Sequence, residues 1–244
     1  RAVIDLLEYA GSGITNPDAA LQPLVPMPDG RYLLAEPLIM DTAAERNLTV
    51  LLNRAPSEKD VYSRLANRKE TEMRNRICRK LDPRFRLWHG RLDGHDVTNV
   101  DLAIVDDANQ SILFLELKWF IDPAEVRELR DRSKELSKGV DQCKTLLALA
   151  SESPVTLRRI GSGPFRVVAA AVVSANWIGF GNIQDPDIPI INEQHLVREL
   201  QAAGTLSEVI AWLRRREYLP LLQRDYAAVE RPTKVANWTL NWYR

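Results

Sequence analysis

Two opposite charges, Glu116 and Lys118, lie two positions apart in the apolar stretch FLELKW. Side chains alternate between faces along a β-strand, so both would project from one face of the predicted strand SILFLELKWF. The polar turn DDANQ joins this strand to the apolar run NVDLAIV, and this pattern predicts a β-hairpin. A symmetric turn centred between residues 108 and 109 pairs residues whose numbers sum to 217, which places Asp101 opposite Glu116.

Two carboxylates at roughly 5 Å on one sheet face repel each other, and folding alone does not favour this pairing. A divalent cation between Asp101 and Glu116 would convert the repulsion into binding. Oxygen-rich sites with open positions suit Mg²⁺, with Mn²⁺ as an alternative. Lys118 beside the metal could orient or help deprotonate a water molecule and stabilise charge on a phosphate. This combination favours phosphodiester hydrolysis. The competing interpretation is an Asp near a turn and a Glu–Lys ion pair at a strand edge.

One long helix is predicted upstream over PSEKDVYSRLANRKETEMRNRICRKLDP. Ser57 is the expected N-cap, and Asp82 with Pro83 ends the helix. A spaced apolar stripe identifies the side that faces the core. Glu70 is on the same side as Met73, whereas Glu72 points elsewhere.

Further strand and helix patterns surround the hairpin. FRLWHG is predicted as a first strand, FRVVAAAVVS as a buried strand, DIPII as a short strand before a helix, and ANWTLNWYR as a final strand. A charged helix over roughly 123–138 is expected to end at Gly139, with VDQCKTLLALA as a second helical piece. The chain is expected to be helical from about 193 to Leu222. Helices interspersed with buried strands indicate an α/β sandwich with a mixed sheet.

The arrangement VDLAIVDDANQSILFLELKWF resembles the core of the PD-(D/E)xK nuclease superfamily, over roughly Val61 to Ile191. The resemblance implies a restriction-endonuclease-like fold, with a mixed β-sheet flanked by helices, and a Mg²⁺-dependent nuclease. In that family an Asp on one central strand and an E-x-K on the next form the active site. These residues match Asp101, Glu116 and Lys118. The Leu117 carbonyl would complete the metal ligands.

The same resemblance implies further site residues. An upstream helix often contributes a Glu, for which Glu70 is the better-placed candidate and Glu72 the alternative. The family often has Pro before the Asp, where this chain has Val100. Most of the superfamily acts on DNA, so DNA is the expected substrate and RNA the alternative. A Gln or Lys on the following helix often lies near the site, and KGVDQCK supplies Gln142, Lys138 and Lys144 as candidates for substrate binding.

Composition places the 244-residue chain among ordinary globular proteins, with 45% hydrophobic and 27% charged residues. Residues 56–192 are expected to form the nuclease core, and 193–244 a C-terminal helical extension with a final strand. Residues 1–55 are either the remnant of a preceding domain or a cap on the core. No apolar run approaches the roughly 20 residues of a membrane span. Two distant Cys, in helix-like patterns, suit a reducing cytoplasm.

Formal net charge is zero, so nucleic acid would be attracted by local basic surfaces and not by the whole molecule. One basic cluster spans Arg64 to Arg91 and another is Arg214–Arg216, and each is either a phosphate-facing surface or a solvated helix face. Of the histidines, His95 is the one that could touch substrate. Two rival interpretations stay open: a catalytically silent nucleic-acid- or protein-binding module of the same fold, and a structural interaction domain. A homodimer that cuts both strands is a further alternative.

Overall fold

The computed structural model of the chain describes residues 2–34, 43–92, 99–121, 123, 126–152, 157–161, 164–175, 185–220, 223–225, 227, 230–235 and 238–243. Its helices are α1 (Ala2–Leu7), α2 (Ala44–Arg54), α3 (Lys59–Lys80), α4 (Val126–Glu152), α5 (Glu193–Ala202) and α6 (Leu206–Arg214). Its strands are β1 (Leu24–Pro26), β2 (Tyr32–Leu34), β3 (Arg86–Arg91), β4 (Asn99–Asp106), β5 (Ser111–Lys118), β6 (Val167–Ser174), β7 (Ile190–Asn192), β8 (Glu230–Val235) and β9 (Trp238–Tyr243).

A mixed five-stranded sheet forms the centre of the fold, in the order β3-β4-β5-β6-β7. Strands β3, β4 and β5 pair antiparallel, whereas β5, β6 and β7 pair parallel. A short turn suffices between β4 and β5, but the parallel pair β5–β6 needs a long crossover, which includes α4. The predicted α/β architecture with a mixed sheet flanked by helices is confirmed.

Helices cover both faces of the sheet. Helix α4 packs on one face with Ile112 and Phe114 of β5, and α3, α5 and α6 pack on the other with Leu115 and Leu117. Every residue of β5 before Lys118 is therefore buried. This double cover explains why the strand is a nearly continuous apolar run. It also means that a charge on β5 must find its partners inside the protein.

A third apolar cluster joins the N-terminal region to the chain that follows β5. Ile121 is buried in it with residues of α1 and α2, and Trp119 packs against it. The pair β1–β2 and the pair β8–β9 are two-stranded antiparallel sheets. The predicted final strand is confirmed as β9, and sequence patterns did not indicate its partner β8. No helix among the described residues is both long and apolar enough to cross a membrane.

The predicted N-cap of the long helix is wrong. A 3₁₀ turn spans Pro56–Glu58 and α3 begins at Lys59, so its N-cap is Glu58, whose side chain makes no capping hydrogen bond. Ser57 lies within the 3₁₀ turn. The reason is local, because Pro56 favours a helical φ at the start of the turn and supplies no N–H that needs a cap.

The predicted helix break at Gly139 is also wrong, since α4 continues without interruption to Glu152. A Gly inside a helix costs only about 1 kcal/mol, and the apolar contacts of α4 with the sheet outweigh this cost. Helix α6 ends earlier than predicted, at Arg214, and turns occupy 215–218. Arg216 has a φ of 59°, which a continuing helix cannot accommodate.

Candidate active site

The β4–β5 hairpin has the predicted register. Backbone pairing runs from the turn at 107–110 to Leu102 and Leu115, and the numbers of each pair sum to 217. Asp101 and Glu116 are the next residues on the two strands. The hairpin therefore brings this carboxylate pair to the same end of the sheet, as the sequence predicted.

The two strands stop pairing with each other at this point. Strand β4 remains paired with β3 as far as Asn99, and β5 remains paired with β6 as far as Lys118. The Leu117 N–H donates to Asp101 Oδ2 at 2.9 Å. The N–H and C=O of a strand residue point to the same side. The Leu117 carbonyl thus faces the opening that also contains the Asp101 carboxylate.

Lys118 connects β5 with α4. Its Nζ donates to Glu116 Oε1 at 2.8 Å and to Gln142 Oε1 at 3.0 Å. Glu116 is 3% exposed, so this ion pair is nearly desolvated on the carboxylate side. The predicted common face of Glu116 and Lys118 is confirmed, and Gln142 is the residue of KGVDQCK that reaches them.

Glu70 reaches the same cluster from α3. Its carboxylate lies beside the Trp119 backbone N–H and within electrostatic range of Asp101 and Lys118. Glu72, the alternative candidate, points to solvent and binds Arg68 at 2.9 Å. The helical phase that the sequence indicated for these two residues is confirmed.

Three carboxyl groups in this cluster have raised pKa values. Burial raises the pKa of Glu116 to about 7, and repulsion from Asp101 adds to the effect while Lys118 opposes it. Burial also raises the pKa of Asp101, against the Leu117 N–H and Lys118. Burial followed by repulsion from Asp101 raises the pKa of Glu70. The cluster holds more negative charge than its surroundings stabilise.

Lys118 responds to the same excess of negative charge. Burial disfavours its ammonium form, but Glu116, Glu70 and Asp101 together outweigh burial and raise the Lys118 pKa. Lys118 is therefore a cation at neutral pH. A cation placed between the carboxylates would lower their pKa values, which is the electrostatic condition for a metal site.

Gly139 sets the distance between α4 and the sheet. A Cβ at this position would lie 3.2 Å from Lys118 Cε and 3.2 Å from both methyl carbons of Val172. Without a side chain at residue 139, α4 lies close enough to the sheet for Gln142 to accept from Lys118 with no displacement of Lys118 or Val172. Sequence patterns indicated Gly139 as a helix end and did not reveal this packing role, although its position three residues before Gln142 is a usable signal.

Two other candidates for substrate binding lie apart from the cluster. Lys138 is 66% exposed and binds Glu135 at 2.7 Å, one turn back on α4. Lys144 forms an ion pair with Asp185 and lines a groove with residues of β6 and α6. Among the described residues, neither lysine forms a hydrogen bond or an ion pair with Lys118, Glu116 or Gln142.

Much of the basic charge in the two sequence clusters is engaged in structural contacts. Arg76 binds Glu193 of α5 with two hydrogen bonds of 3.0 and 2.7 Å. Arg86 binds Asp107 beside the hairpin turn. All three members of Arg214–Arg216 bond to nearby backbone or side-chain atoms. Arg64 and Arg79 are exposed on α3, and Arg79 donates to the Asn75 carbonyl one turn back.

Among the described residues, the histidines and cysteines are not arranged as metal ligands. His89 is exposed on β3 and His195 lies on α5, whereas His95 falls outside the described residues. Burial raises the pKa of the Cys143 thiol, so this group stays neutral. No group of three or more His, Cys, Asp and Glu side chains in the described ranges is arranged to hold a metal ion.

Three residues near the cluster, Arg74, Arg132 and Tyr62, were not indicated individually by sequence patterns. Arg74 of α3 is close enough to Asp101 to oppose the rise that burial causes in the Asp101 pKa. Arg132 of α4 lies close enough to the Tyr62 hydroxyl to oppose the rise that burial causes in the pKa of this hydroxyl, and its guanidinium carbon lies 5.6 Å from the centre of the Phe120 ring. The spacing of seven residues between Arg132 and Gly139, about two helical turns, is the sequence signal that places Arg132 near the site.

No protein-family model, no curated protein and no solved structure significantly matches this chain.

Proposed function

We propose that the chain is a metal-dependent nuclease of the PD-(D/E)xK type, with a restriction-endonuclease-like fold, and that it hydrolyses phosphodiester bonds of DNA. The observation that carries the proposal is the end of the β4–β5 hairpin. Two carboxylates meet there, the strands separate, and Lys118 lies beside them. Folding alone does not favour this concentration of buried charge.

The residues present fit a Mg²⁺ ion. Asp101 and Glu116 would supply carboxylate oxygens and Leu117 a carbonyl oxygen from the same opening. Two carboxylates suit Mg²⁺, which usually keeps several of its water ligands. When bound, the ion would lower the pKa of a coordinated water and polarise a phosphoryl oxygen. Glu70 would accept a hydrogen bond from such a water.

Lys118 has the second role in the proposed reaction. Its ammonium can position the attacking water and balance negative charge that develops on the phosphate. Gln142 restricts the ammonium to one direction through the 3.0 Å hydrogen bond. The new bond joins the water oxygen to phosphorus and the water gives one proton to solvent, while the bond from phosphorus to the leaving nucleotide oxygen breaks and that oxygen takes up a proton from solvent.

Incubation with supercoiled plasmid, single-stranded DNA and RNA tests this proposal, in Mg²⁺, in Mn²⁺ and in EDTA. Cleavage is expected with metal and not with EDTA. Asp101→Asn and Lys118→Ala are expected to remove it, while Lys138→Ala, an exposed position on α4, serves as the matched control. Metal-dependent cleavage that survives Asp101→Asn would refute the assignment.

A catalytically silent nucleic-acid-binding module is the second candidate. The observation that favours it is the ion pair between Lys118 and Glu116, because this contact already engages one of the expected metal ligands. Binding of labelled DNA without cleavage in either metal would support this candidate over the nuclease.

A further inference from the structure

The carboxylate and lysine cluster lies between two arginines of different helices. Arg74 is on α3, one turn beyond Glu70, and Arg132 is on α4, two turns before Gly139. Residues four and seven apart share a helix face. Because Glu70 and Gly139 both face the cluster, the two arginines flank it from their own helices.

Both arginines have hydrogen-bonding capacity that the protein does not use. The Nε of Arg74 and the Nε of Arg132 are buried and have no hydrogen-bond partner within the described part of the chain. Arg68 and Arg76, which also lie on α3, each bind a carboxylate. A buried donor without a partner is costly, and a shift of either side chain towards a phosphate would give its guanidinium charge-assisted hydrogen bonds.

Arg132 is also held in place before any ligand binds. Its guanidinium lies over the Phe120 ring, 5.6 Å from the ring centre, and close to the Tyr62 hydroxyl. Phe120 is only two residues beyond Lys118, so the arginine is fixed relative to the end of β5. An arginine fixed in this way loses little side-chain entropy on binding an anion.

The length of α3 between the neighbour of one arginine and the other arginine suits a nucleic-acid strand. Tyr62, which lies close to Arg132, precedes Arg74 by twelve residues on α3, or about 18 Å along the helix axis. Glu70 lies between them. A stacked strand carries one phosphate for roughly every 3.4 Å of rise, so this span corresponds to about five phosphates.

We propose that Arg74 and Arg132 bind backbone phosphates on either side of the phosphodiester that is cut. The substrate is then an internal segment of a polynucleotide strand and not a mononucleotide or dinucleotide. This inference rests on the proposed nuclease function and adds the substrate length and the path of the strand. Each arginine can bond two phosphate oxygens at once.

The first test compares a labelled 20-nucleotide strand with bis(p-nitrophenyl) phosphate, a phosphodiester that has no flanking phosphate. Arg74→Gln and Arg132→Gln are expected to lower kcat/KM on the strand at least about tenfold, the effect of losing one charge-assisted hydrogen bond. On the small diester the change for Arg132→Gln is expected to stay within about twofold. Arg74→Gln also removes a positive charge near Asp101, so its loss on the small diester is expected to be real but smaller than its loss on the strand. The matched controls are Arg79→Gln on α3 and Arg130→Gln on α4, both exposed positions. Equal losses on both substrates, or no loss on the strand, would overturn the inference.

The second test measures cleavage against strand length, from two to twelve nucleotides. The rate is expected to rise to about six nucleotides and then level off, as the five-phosphate span requires. The Arg132→Gln variant should level off at a shorter length. A dinucleotide that is cut as efficiently as the longest strand would contradict the proposed path.

Binding measurements separate failure of this inference from failure of the nuclease proposal. Fluorescence anisotropy of the labelled strand in Ca²⁺ requires no cleavage. Each Gln variant is expected to weaken binding about tenfold and to reduce the slope of log K against log salt by about one. The Lys variants of both arginines, with thermal unfolding curves, check that the fold is retained. Unchanged affinity and slope in both Gln variants would reject the flanking-phosphate role even if the protein cuts nothing.

Discussion

Glu116 should make the stability of the metal-free protein depend on pH. Its carboxyl has a pKa of about 7 in the folded protein, against an ordinary value of 4.5, because it is buried and lies close to Asp101. The folded state therefore holds the proton more tightly than the unfolded state. The resulting stabilisation is fully present below pH 4.5 and is lost as pH rises through about 7.

The size of this effect follows from the two pKa values. The difference between the ordinary pKa of 4.5 and the folded-state pKa of about 7 corresponds to a change of about 3 kcal/mol in the free energy of unfolding. About 2 kcal/mol of this change falls between pH 5.5 and pH 8. The side chain is nearly inaccessible to water, so solvent screening reduces the value only modestly. Glu116→Gln removes the titrating group. The variant should lose about 2 kcal/mol of this pH dependence, whatever constant change in stability the substitution causes.

Urea unfolding in EDTA at pH 5.5 and pH 8 measures this difference directly. The unaltered protein, Glu116→Gln and the control Glu72→Gln are compared, since Glu72 lies on the exposed side of α3. Only Glu116→Gln should flatten the pH dependence. If it leaves the difference between the two pH values unchanged, the carboxyl is not held in the desolvated environment that the structure shows.

Three further predictions concern metal binding, the contact between α4 and β5, and the ion pair between α3 and α5. Millimolar Mg²⁺ at pH 8 should raise the Tm of the unaltered protein but not that of Asp101→Asn, as measured by differential scanning fluorimetry. An equal rise in both proteins would show that the ion binds elsewhere. Gly139→Ala should lower cleavage about tenfold, because its Cβ pushes α4 away from Lys118, while the free energy of unfolding falls by no more than about 2 kcal/mol. Thr145→Ala, on an exposed part of α4, is its control and should retain full activity. Glu193→Ala should lower the free energy of unfolding in urea by about 2 kcal/mol, since it leaves Arg76 without its two charged hydrogen bonds. A decrease of less than about 0.5 kcal/mol would contradict this prediction.

Local sequence signals predicted the hairpin and its carboxylate pair. Alternation placed Glu116 and Lys118 on one face, and the central turn placed Asp101 across from Glu116. Both depend on contacts between residues close in sequence, where strand period and turn length leave few alternatives. The phase of Glu70 relative to Glu72 followed from helical periodicity in the same way.

The contacts made by α4 were harder to predict. Gly139 looked like the end of a helix because Gly has a low helix propensity, but its backbone packs against Lys118 and Val172. Arg132 and Tyr62 meet only because α3 and α4 come together near the end of β5. Such contacts depend on tertiary packing. Helical spacing shows which residues of α4 share a face, but it does not show which residues of another helix that face contacts.

Strand β5 pairs antiparallel with β4 and parallel with β6, and this difference has a consequence for the order of folding. Its antiparallel partner β4 is only a four-residue turn away, whereas its parallel partner β6 follows the whole of α4. Closing the longer loop costs more chain entropy and is slower. We therefore expect the β4–β5 hairpin to bring Asp101 and Glu116 to the same end of the sheet early, and the contact of Gln142 with Lys118 to form only when α4 docks. Pulsed hydrogen exchange during refolding should then protect amides at the β4–β5 ladder before those at the β5–β6 ladder, and simultaneous protection would show that the sheet forms as one cooperative unit.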